Sequence, residues 1–139
     1  MFLLDTNVVS ELRKAKAGKA NLGVTDWATG VSAALMFLSV VSVHELENAV
    51  KLAEPSDPSK GEVLREWFDG SVLPAFSDRV LNVDEPVALR AAGLHVPDPA
   101  PFRDALIGAT AIVHGMAIVT RNVSDFDRFA ALELVNPWT

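Results

Sequence analysis

Short apolar segments alternate with longer segments of helical periodicity along the whole chain, and this alternation limits the fold more than any other feature. Strands are predicted at residues 2–5, 35–39, 80–83, 117–120 and 133–136. Helices are predicted at residues 6–14, 24–29, 42–53, 60–68 or as far as 72, 85–94 and 102–114. Such alternation predicts an α/β sandwich around a mainly parallel sheet, in which ligands bind beyond the carboxyl ends of the strands.

The length and composition of the chain are those of one globular domain, and we expect residues 1–139 to form a single unit. Of all residues, 50% are hydrophobic and 22% are charged, which excludes an intrinsically disordered chain. The sequence has no cysteine, so it excludes disulfides, zinc–thiolate sites and a cysteine nucleophile.

Charge and apolar runs limit the environment and the partners of the protein. The net charge of -6 argues against binding nucleic acid by bulk electrostatics, so any phosphate chemistry must be local or depend on a metal. The N-terminal apolar segment ends at Asp5, and the run Val31–Val43 is too short to span a membrane. We therefore expect a cytoplasmic protein without a membrane segment.

Acidic residues lie where the predicted strands end. Asp5 ends the first strand, Glu45 lies early in the helix after the second, and Asp125 follows the strand at 117–120. Asp104 lies in the first turn of its helix and would point to the same edge of the sheet. Because like charges in proximity raise each other's pKa, their convergence favours a hard cation such as Mg²⁺ or Mn²⁺. An acidic metal site is therefore one interpretation of these residues.

Each acid also has a purely structural interpretation. Asp5 is suited to cap the helix that follows it. Ser42 and Glu45 have the S-x-x-E spacing of a capping box, which would fold Glu45 back onto its own helix. Helical periodicity does not choose between Glu45 and Glu47 as the residue that faces the site. Spacing alone leaves these alternatives open.

Five short motifs occur in an order that is specific as a set, although each alone is weak. They are Leu3–Glu11, Leu38–Leu46, Asp104–Ala111, Ile118–Asn122 and Asn136–Trp138. This set resembles the PIN-domain ribonucleases, in particular the VapC-type toxins of bacterial toxin–antitoxin pairs, and it spans almost the whole chain. The resemblance implies a three-layer α/β/α PIN-like sandwich with a mainly parallel central sheet and an acidic pocket that cleaves RNA.

The resemblance assigns catalytic and metal-binding roles by position. The family's first three acids match Asp5, Glu45 and Asp104, which favours Glu45 over Glu47. These residues would hold Mg²⁺ or Mn²⁺, and the ion would lower the pKa of an attacking water.

A fourth acid of the family directly follows a Thr-Arg pair, and this chain has Asn122 there. Asn122 and Asp125 are therefore both candidates for the fourth catalytic position. Thr6 and Thr120 match hydroxyl positions near the metal and the substrate, although such hydroxyls could instead only cap turns.

Several basic residues are candidates for binding the RNA backbone. Arg13 and Lys14 begin a basic cluster that ends at Lys19, and a solvated helix end is the alternative interpretation of this cluster. Arg103 and Arg121 lie beside candidate site residues, where each could bind phosphate or pair with the acids.

We therefore expect a Mg²⁺- or Mn²⁺-dependent endoribonuclease that acts as the toxin of a pair. The resemblance further implies a homodimer and a cognate VapB-type antitoxin. One alternative is a PIN module that binds RNA or antitoxin without cleavage, because Asn122 brings no charge. A less favoured alternative is a phosphatase or receiver domain, which Asn7 and Arg121 do not fit.

Overall fold

Five short strands and seven α-helices alternate along the computed structural model, which describes residues 1–139. The strands are β1 (Phe2–Leu4), β2 (Met36–Ser39), β3 (Val80–Leu81), β4 (Ala117–Val119) and β5 (Leu134–Val135). The helices are α1 (Thr6–Leu12), α2 (Leu22–Thr29), α3 (Val40–Ser56), α4 (Pro58–Trp67), α5 (Leu73–Ala75), α6 (Glu85–Gly93) and α7 (Phe102–His114). No helix has the length and apolar character needed to cross a membrane.

The strands form one sheet in the order β3-β2-β1-β4-β5, and every neighbouring pair is parallel. In the register of the central strand, Phe2 is opposite Met36 of β2 and Leu4 is opposite Val119 of β4. The prediction of a mainly parallel sheet is confirmed. Because all strands run the same way, the residues that follow β1, β2 and β4 lie at one edge of the sheet.

Alternating residues of the central strand serve two cores, one on each face of the sheet. Leu4 belongs to the larger core, to which the neighbouring strands β2 and β4, the helices α1, α2 and α3 and the segment after α4 contribute. The other buried residues of this core are Val8, Val9, Val24, Met36, Leu38, Leu46, Val50, Phe68, Val72 and Val119. Leu3 belongs to the core on the other face, with Ile107, Ala111, Met116, Ile118, Phe126 and Phe129. Helices therefore cover both faces, and α6 packs on the outer side of α7.

Helix α3 is longer than predicted at both ends. The helix begins at Val40, because the Ser39 hydroxyl accepts a hydrogen bond from the backbone N–H of Val41 and caps it. It continues through Pro55 to Ser56, and the predicted bounds of 42–53 were therefore wrong. The next predicted helix is confirmed in its longer form, since a π-helical segment from Phe68 to Val72 follows α4.

The strands, in contrast, are each shorter than predicted, because their terminal residues take other roles. The first strand ends at Leu4, and Asp5 caps α1 instead of extending the sheet. The predicted bounds of α7 are confirmed at both ends, and Gly115 ends this helix in a left-handed conformation with a φ of 65°.

The close packing of α3 on α4 depends on the glycine at position 61. A Cβ atom added to Gly61 would lie 2.6 Å from the Cα atom of Glu54 in α3, a distance that real Cβ atoms do not show. We expect Gly61→Ala to destabilise the protein by about 1–3 kcal/mol, because the overpacking outweighs the better helix propensity of alanine. The midpoint of urea unfolding at constant m-value measures this change.

The control for this substitution is Gly70→Ala, since an added Cβ atom at Gly70 meets no heavy atom within 4 Å. We expect the control to leave the midpoint unchanged or to raise it. A midpoint for Gly61→Ala at or above that of the natural protein would contradict the packing argument.

Candidate active site

Three carboxylates from different elements meet at the carboxyl edge of the sheet. Asp5 follows β1, Glu45 lies near the start of α3, and Asp104 lies in the first turn of α7. All three form ion pairs with the side chain of Arg103. The structure therefore brings together the three acids that were predicted as the core of the site.

The Asp5 carboxylate is almost completely buried, with 1% of the residue exposed. Its Oδ1 accepts a hydrogen bond from the backbone N–H of Thr6 at 2.8 Å, so that Asp5 caps α1. The same oxygen also accepts a hydrogen bond from Arg103. Asp5 therefore caps the helix and also contacts Arg103 at the buried side of the acidic pocket, so the two interpretations of this residue are compatible.

Glu45 does not form the capping box that its spacing from Ser42 allowed. Ser42 lies inside α3, and its buried hydroxyl has no hydrogen-bond partner, because Ser39 caps the helix. The Glu45 carboxylate extends instead towards Arg103. The capping-box interpretation was therefore wrong.

The structure also separates Glu45 from Glu47. Glu47 faces α4, where its Oε2 accepts a hydrogen bond from Arg65 at 2.7 Å. Only Glu45 of this pair lines the acidic pocket. The choice that periodicity left open is thus decided by the contacts of the two side chains.

Two threonine hydroxyls orient the carboxylates. The Thr6 hydroxyl donates to Glu45 Oε1 at 2.7 Å, and the Thr120 hydroxyl donates to Asp5 Oδ2 at 2.7 Å. The side-chain amide of Asn7 donates in turn to Thr120 Oγ1 at 3.4 Å. Both hydroxyls therefore contact pocket acids, which capping of turns alone would not require.

The Arg103 guanidinium lies between the three carboxylates. Its Nε donates to Glu45 Oε2 at 2.7 Å, one terminal nitrogen donates to Asp104 Oδ1 at 3.1 Å, and the other donates to Asp5 Oδ1. The sequence left open whether this arginine binds phosphate or pairs with the acids. In this structure it pairs with the acids.

The environment shifts the pKa values of two site carboxyls in opposite directions. Partial burial raises the pKa of Glu45, but hydrogen bonds to its carboxylate, above all from Arg103, outweigh this effect and leave the pKa below its ordinary value. Burial also raises the pKa of Asp104, and the negative charge of Asp125 adds to the increase, so that the hydrogen bond from Arg103 does not offset it. The ionised form is therefore favoured at Glu45 and disfavoured at Asp104.

Both candidates for the fourth acidic position line the same pocket. The backbone N–H of Asn122 donates to Thr120 Oγ1 at 3.0 Å, which fixes the turn after β4. Asp125 is exposed at the end of a short 3-10 helix, close enough for its charge to act on Asp104. The structure brings Asn122 and Asp125 to the pocket without choosing between them.

The predicted basic residues divide between two places. Lys14 and Arg121 line the acidic pocket, where the Arg121 guanidinium lies 5.7 Å from the ring centroid of Trp138. Arg13 lies elsewhere, with its guanidinium 6.0 Å from the ring centroid of Trp67, and it lines an apolar cleft. The structure therefore does not bring Arg13 to the predicted site.

One face of α1 contributes three pocket residues to which the sequence assigned no role in the site. They are Asn7, Ser10 and Glu11, at positions i, i+3 and i+4, and Lys14 follows them just after the end of the helix. Glu11 is fixed there by the backbone N–H of Asn21 at 2.9 Å and by Lys14 at 3.0 Å, and the hydrogen bond from Asn21 lowers its pKa. The helical spacing of this face was the signal that could have identified it.

The donor chemistry of the pocket fits a hard divalent cation. Asp5, Glu45 and Asp104 offer only carboxylate oxygens, the ligands that Mg²⁺ and Mn²⁺ prefer. A cationic group, the guanidinium of Arg103, lies where the three carboxylates meet. In this arrangement no three acidic or histidine side chains stand where they could hold an ion together. The pocket thus has the donor groups of a metal site, but in this structure the guanidinium of Arg103 lies where the three carboxylates meet.

Comparison with known proteins supports the same family as the motifs. The family model of the PIN domain matches residues 2–132. The chain is 34% identical over 143 residues to the VapC ribonuclease Y4jK of Sinorhizobium fredii, which covers 99% of this chain and 98% of the relative. It is 36% identical over 144 residues to the toxin FitB of Neisseria gonorrhoeae, which covers 99% of each chain.

A solved structure shares the fold as well as the sequence similarity. The crystal structure of FitAcB from Neisseria gonorrhoeae has a TM-score of 0.88 to this chain at 34% identity, and the match covers 99% of each chain. The parallel five-stranded sheet with helices on both faces is common to this fold. Because the family model matches most of the chain and the relatives match nearly all of it, this protein belongs to the PIN-domain family.

Proposed function

We propose that this protein is a Mg²⁺- or Mn²⁺-dependent endoribonuclease that acts as the toxin of a toxin–antitoxin pair. The observation that carries the proposal is the convergence of Asp5, Glu45 and Asp104 from three elements around one cationic group. The relatives named VapC ribonuclease and toxin FitB support the assignment of RNA cleavage and of toxin action. Because the chain belongs to the PIN-domain family, the phosphatase and receiver-domain alternatives are dropped.

The three acids are the metal ligands in this proposal. A bound divalent ion lowers the pKa of an attacking water and offsets the charge that develops on the phosphoryl oxygens. Thr120 holds Asp5 in its orientation, and Thr6 holds Glu45, each through a hydrogen bond of 2.7 Å. The two hydroxyls therefore act as positioning groups for the ligands.

Asp125 is the better candidate for the fourth acid. Its carboxyl group lines the pocket and its charge acts on Asp104, whereas Asn122 offers only a neutral amide. An amide oxygen can serve as a ligand of a hard cation but adds no charge to the site. We propose that Asn122 contributes a neutral contact and Asp125 the negative charge.

Lys14 and Arg121 form the basic side of the pocket and are proposed to bind the RNA backbone. Because the net charge of the chain is -6, such contacts must act locally at the rim and not through the field of the whole protein. Arg13 lies over Trp67, so any contact of this residue with RNA would lie outside the pocket.

The proposal includes the setting in which the enzyme acts. We propose a single PIN-like domain of residues 1–139 that works in the cytoplasm as a homodimer with a VapB-type antitoxin. The toxin name of the relative FitB supports the role in a pair, and the apolar cleft beside Trp67 offers surface that a protein partner could cover.

A second candidate function is a PIN module that binds RNA or antitoxin without cleaving RNA. The observation that favours it is Asn122, which removes one negative charge from the place where many relatives have an acid. Because Glu45, Asp104 and Asp125 line the pocket and Asp5 contacts Arg103 beside them, the active enzyme is the proposal that we retain.

Substitution of a metal ligand tests the proposal. We expect Asp104→Asn to reduce cleavage of a structured RNA pool to the level that EDTA leaves, because the site loses an anionic ligand. The variant should remain folded, because asparagine has nearly the size of aspartate and the buried Ala105, Ile107 and Ala109 hold α7 in the core. Cleavage is measured with Mg²⁺, Mn²⁺ or EDTA, and folding by thermal unfolding.

Asp26→Asn is the matched control, because Asp26 is exposed on α2, away from the pocket. This control should cleave RNA as the natural protein does. Metal-independent cleavage, or equal cleavage by Asp104→Asn and the natural protein, would refute the proposed mechanism. Absence of cleavage by the natural protein on every structured RNA supplied would favour the binding module.

The positioning role of Thr120 gives a separate prediction. Thr120→Val keeps the shape of the side chain but removes the hydrogen bond to the buried Asp5 Oδ2, together with the acceptor for the Asn122 N–H and the Asn7 amide. We expect cleavage to fall about 10–100-fold, as for other groups that orient metal ligands. The unpaired carboxylate oxygen should also cost about 1–3 kcal/mol of stability.

Thr110→Val is the control for this substitution, because Thr110 is equally buried but donates to the backbone carbonyl of Leu106 within α7. This control should leave the cleavage rate unchanged. Rates measured at saturating Mn²⁺ and equal protein concentration decide the matter, and an unchanged rate for Thr120→Val would argue against the positioning role.

A further inference from the structure

Arg103 makes three charged contacts with the three proposed metal ligands. Its three guanidinium nitrogens each contact a different carboxylate, that of Glu45 at 2.7 Å, that of Asp104 at 3.1 Å, and that of Asp5. The contacted atoms are Asp5 Oδ1, Glu45 Oε2 and Asp104 Oδ1. These are oxygens of the same three groups that a bound ion would need.

Burial makes a cation necessary at this position. The side chains of Asp5 and Asp104 are only 1% and 9% exposed, and that of Glu45 is 31% exposed. Three like charges in such surroundings repel one another and lack the solvation that water would provide. The positive charge of Arg103 therefore stabilises the ionised carboxylates when no other cation is present.

We propose that Arg103 is an internal competitor of the divalent ion, so that metal binding requires the guanidinium to leave the three carboxylates. The inference rests on the proposed function, because it takes Asp5, Glu45 and Asp104 as the ligands. One oxygen of each carboxylate accepts a hydrogen bond from the guanidinium. The guanidinium and a divalent ion cannot both lie between the three carboxylates. The affinity for metal is then lowered by the free energy of releasing Arg103.

The surroundings give the side chain a place to go. Arg103 is 30% exposed and lies between the acidic pocket and a second cleft. The lining of this second cleft includes Val41, His44, Asn48 and Leu52. Glu45 lines this second cleft as well as the acidic pocket. Rotation of the Arg103 side chain into the second cleft would therefore take the guanidinium away from Asp5 and Asp104 and to the other side of Glu45.

The chain offers a matched control for the loss of such an arginine. Arg65 also contacts three carboxylates, at 2.7 Å for Glu47 and at 3.2 Å for both Glu54 and Asp69. This cluster joins α3 and α4 on the surface, and none of its members lines the acidic pocket. Arg65→Met therefore removes the same charge and a similar set of contacts at a distance from the proposed ligands.

The test is the dissociation constant of Mn²⁺, measured by isothermal titration calorimetry on the natural protein, Arg103→Met and Arg65→Met. We expect Arg103→Met to bind Mn²⁺ about tenfold or more tightly, because the competing cation is gone. Arg65→Met should bind Mn²⁺ with the affinity of the natural protein. Calorimetry reports binding directly, so the result does not depend on finding the RNA substrate.

Thermal unfolding supplies a second readout. In EDTA, Arg103→Met should unfold at a lower temperature than the natural protein, because its carboxylates repel one another without a counter-cation. Added Mn²⁺ should then raise the Tm of Arg103→Met by more than it raises the Tm of the natural protein. Arg65→Met should show the Mn²⁺ shift of the natural protein.

Arg103→Lys keeps the experiment decisive if Arg103→Met does not fold in EDTA. A lysine retains the charge but cannot place three nitrogens on three carboxylates, so it should also bind Mn²⁺ more tightly than the natural protein does. Equal dissociation constants for the natural protein and the Arg103 variants would overturn the competition and leave the metal site intact. Tightening of the same size in Arg65→Met would overturn it as well.

Failure of the proposed function has a different signature. If neither the natural protein nor any variant binds Mn²⁺, the three acids are not metal ligands, and both proposals fall together. Tighter binding confined to the Arg103 variants supports both the metal site and the competition.

Discussion

The buried carboxylate of Asp5 is the constraint on which the rest of the site depends. Asp5 directly follows the central strand of the sheet and is almost completely buried, so that an uncompensated charge there would cost several kcal/mol. Its compensation comes from the start of α1, from the turn after β4 and from the first turn of α7, through the N–H of Thr6, the hydroxyl of Thr120 and the guanidinium of Arg103. Hydrogen bonds and an ion pair to one carboxylate therefore connect α1, the turn after β4 and the start of α7. The same contacts determine the shape of the pocket.

Core packing places the acid of α7 against this centre. Ile107 lies one turn after Asp104 and is fully buried in the core that contains Leu3. Gly108 lets the same helix approach Phe129, since a Cβ atom there would lie 3.0 Å from the ring. Because apolar contacts fix the helix on the sheet, the position of Asp104 does not depend on its own charge. This explains how the fold tolerates a carboxyl whose ionised form burial disfavours.

The sequence predicted those parts of the fold and site that depend on hydrophobic periodicity and on the position of residues relative to strand ends. Periodicity predicted the parallel sheet and the bounds of α7, and the strand ends of such a sheet indicated where acids would meet. The choice of Glu45 over Glu47 came instead from the resemblance to the PIN-domain ribonucleases, because both residues flank the apolar stripe of their helix. The interpretation of Ser42 and Glu45 as a capping box was wrong, because Ser39 caps α3 instead and the spacing does not show which nearby hydroxyl begins the helix. The contacts of Arg103 could not be predicted, because they depend on a side-chain conformation set by three residues far away in the sequence.

The two three-way arginine clusters of this chain show why burial, and not the number of contacts, gives Arg103 its importance. Arg65 and Arg103 both contact three carboxylates at similar distances. Around Arg65 the carboxylates are 39% to 52% exposed, so water screens their charges. Breaking their ion pairs with Arg65 would therefore cost little stability. Around Arg103, Asp5 is almost completely buried, so removal of the guanidinium would leave a buried carboxylate without its ion-pair partner. Arg103 is therefore the cation that compensates the acidic pocket in this structure, and the proposed divalent ion would have to exchange with its guanidinium.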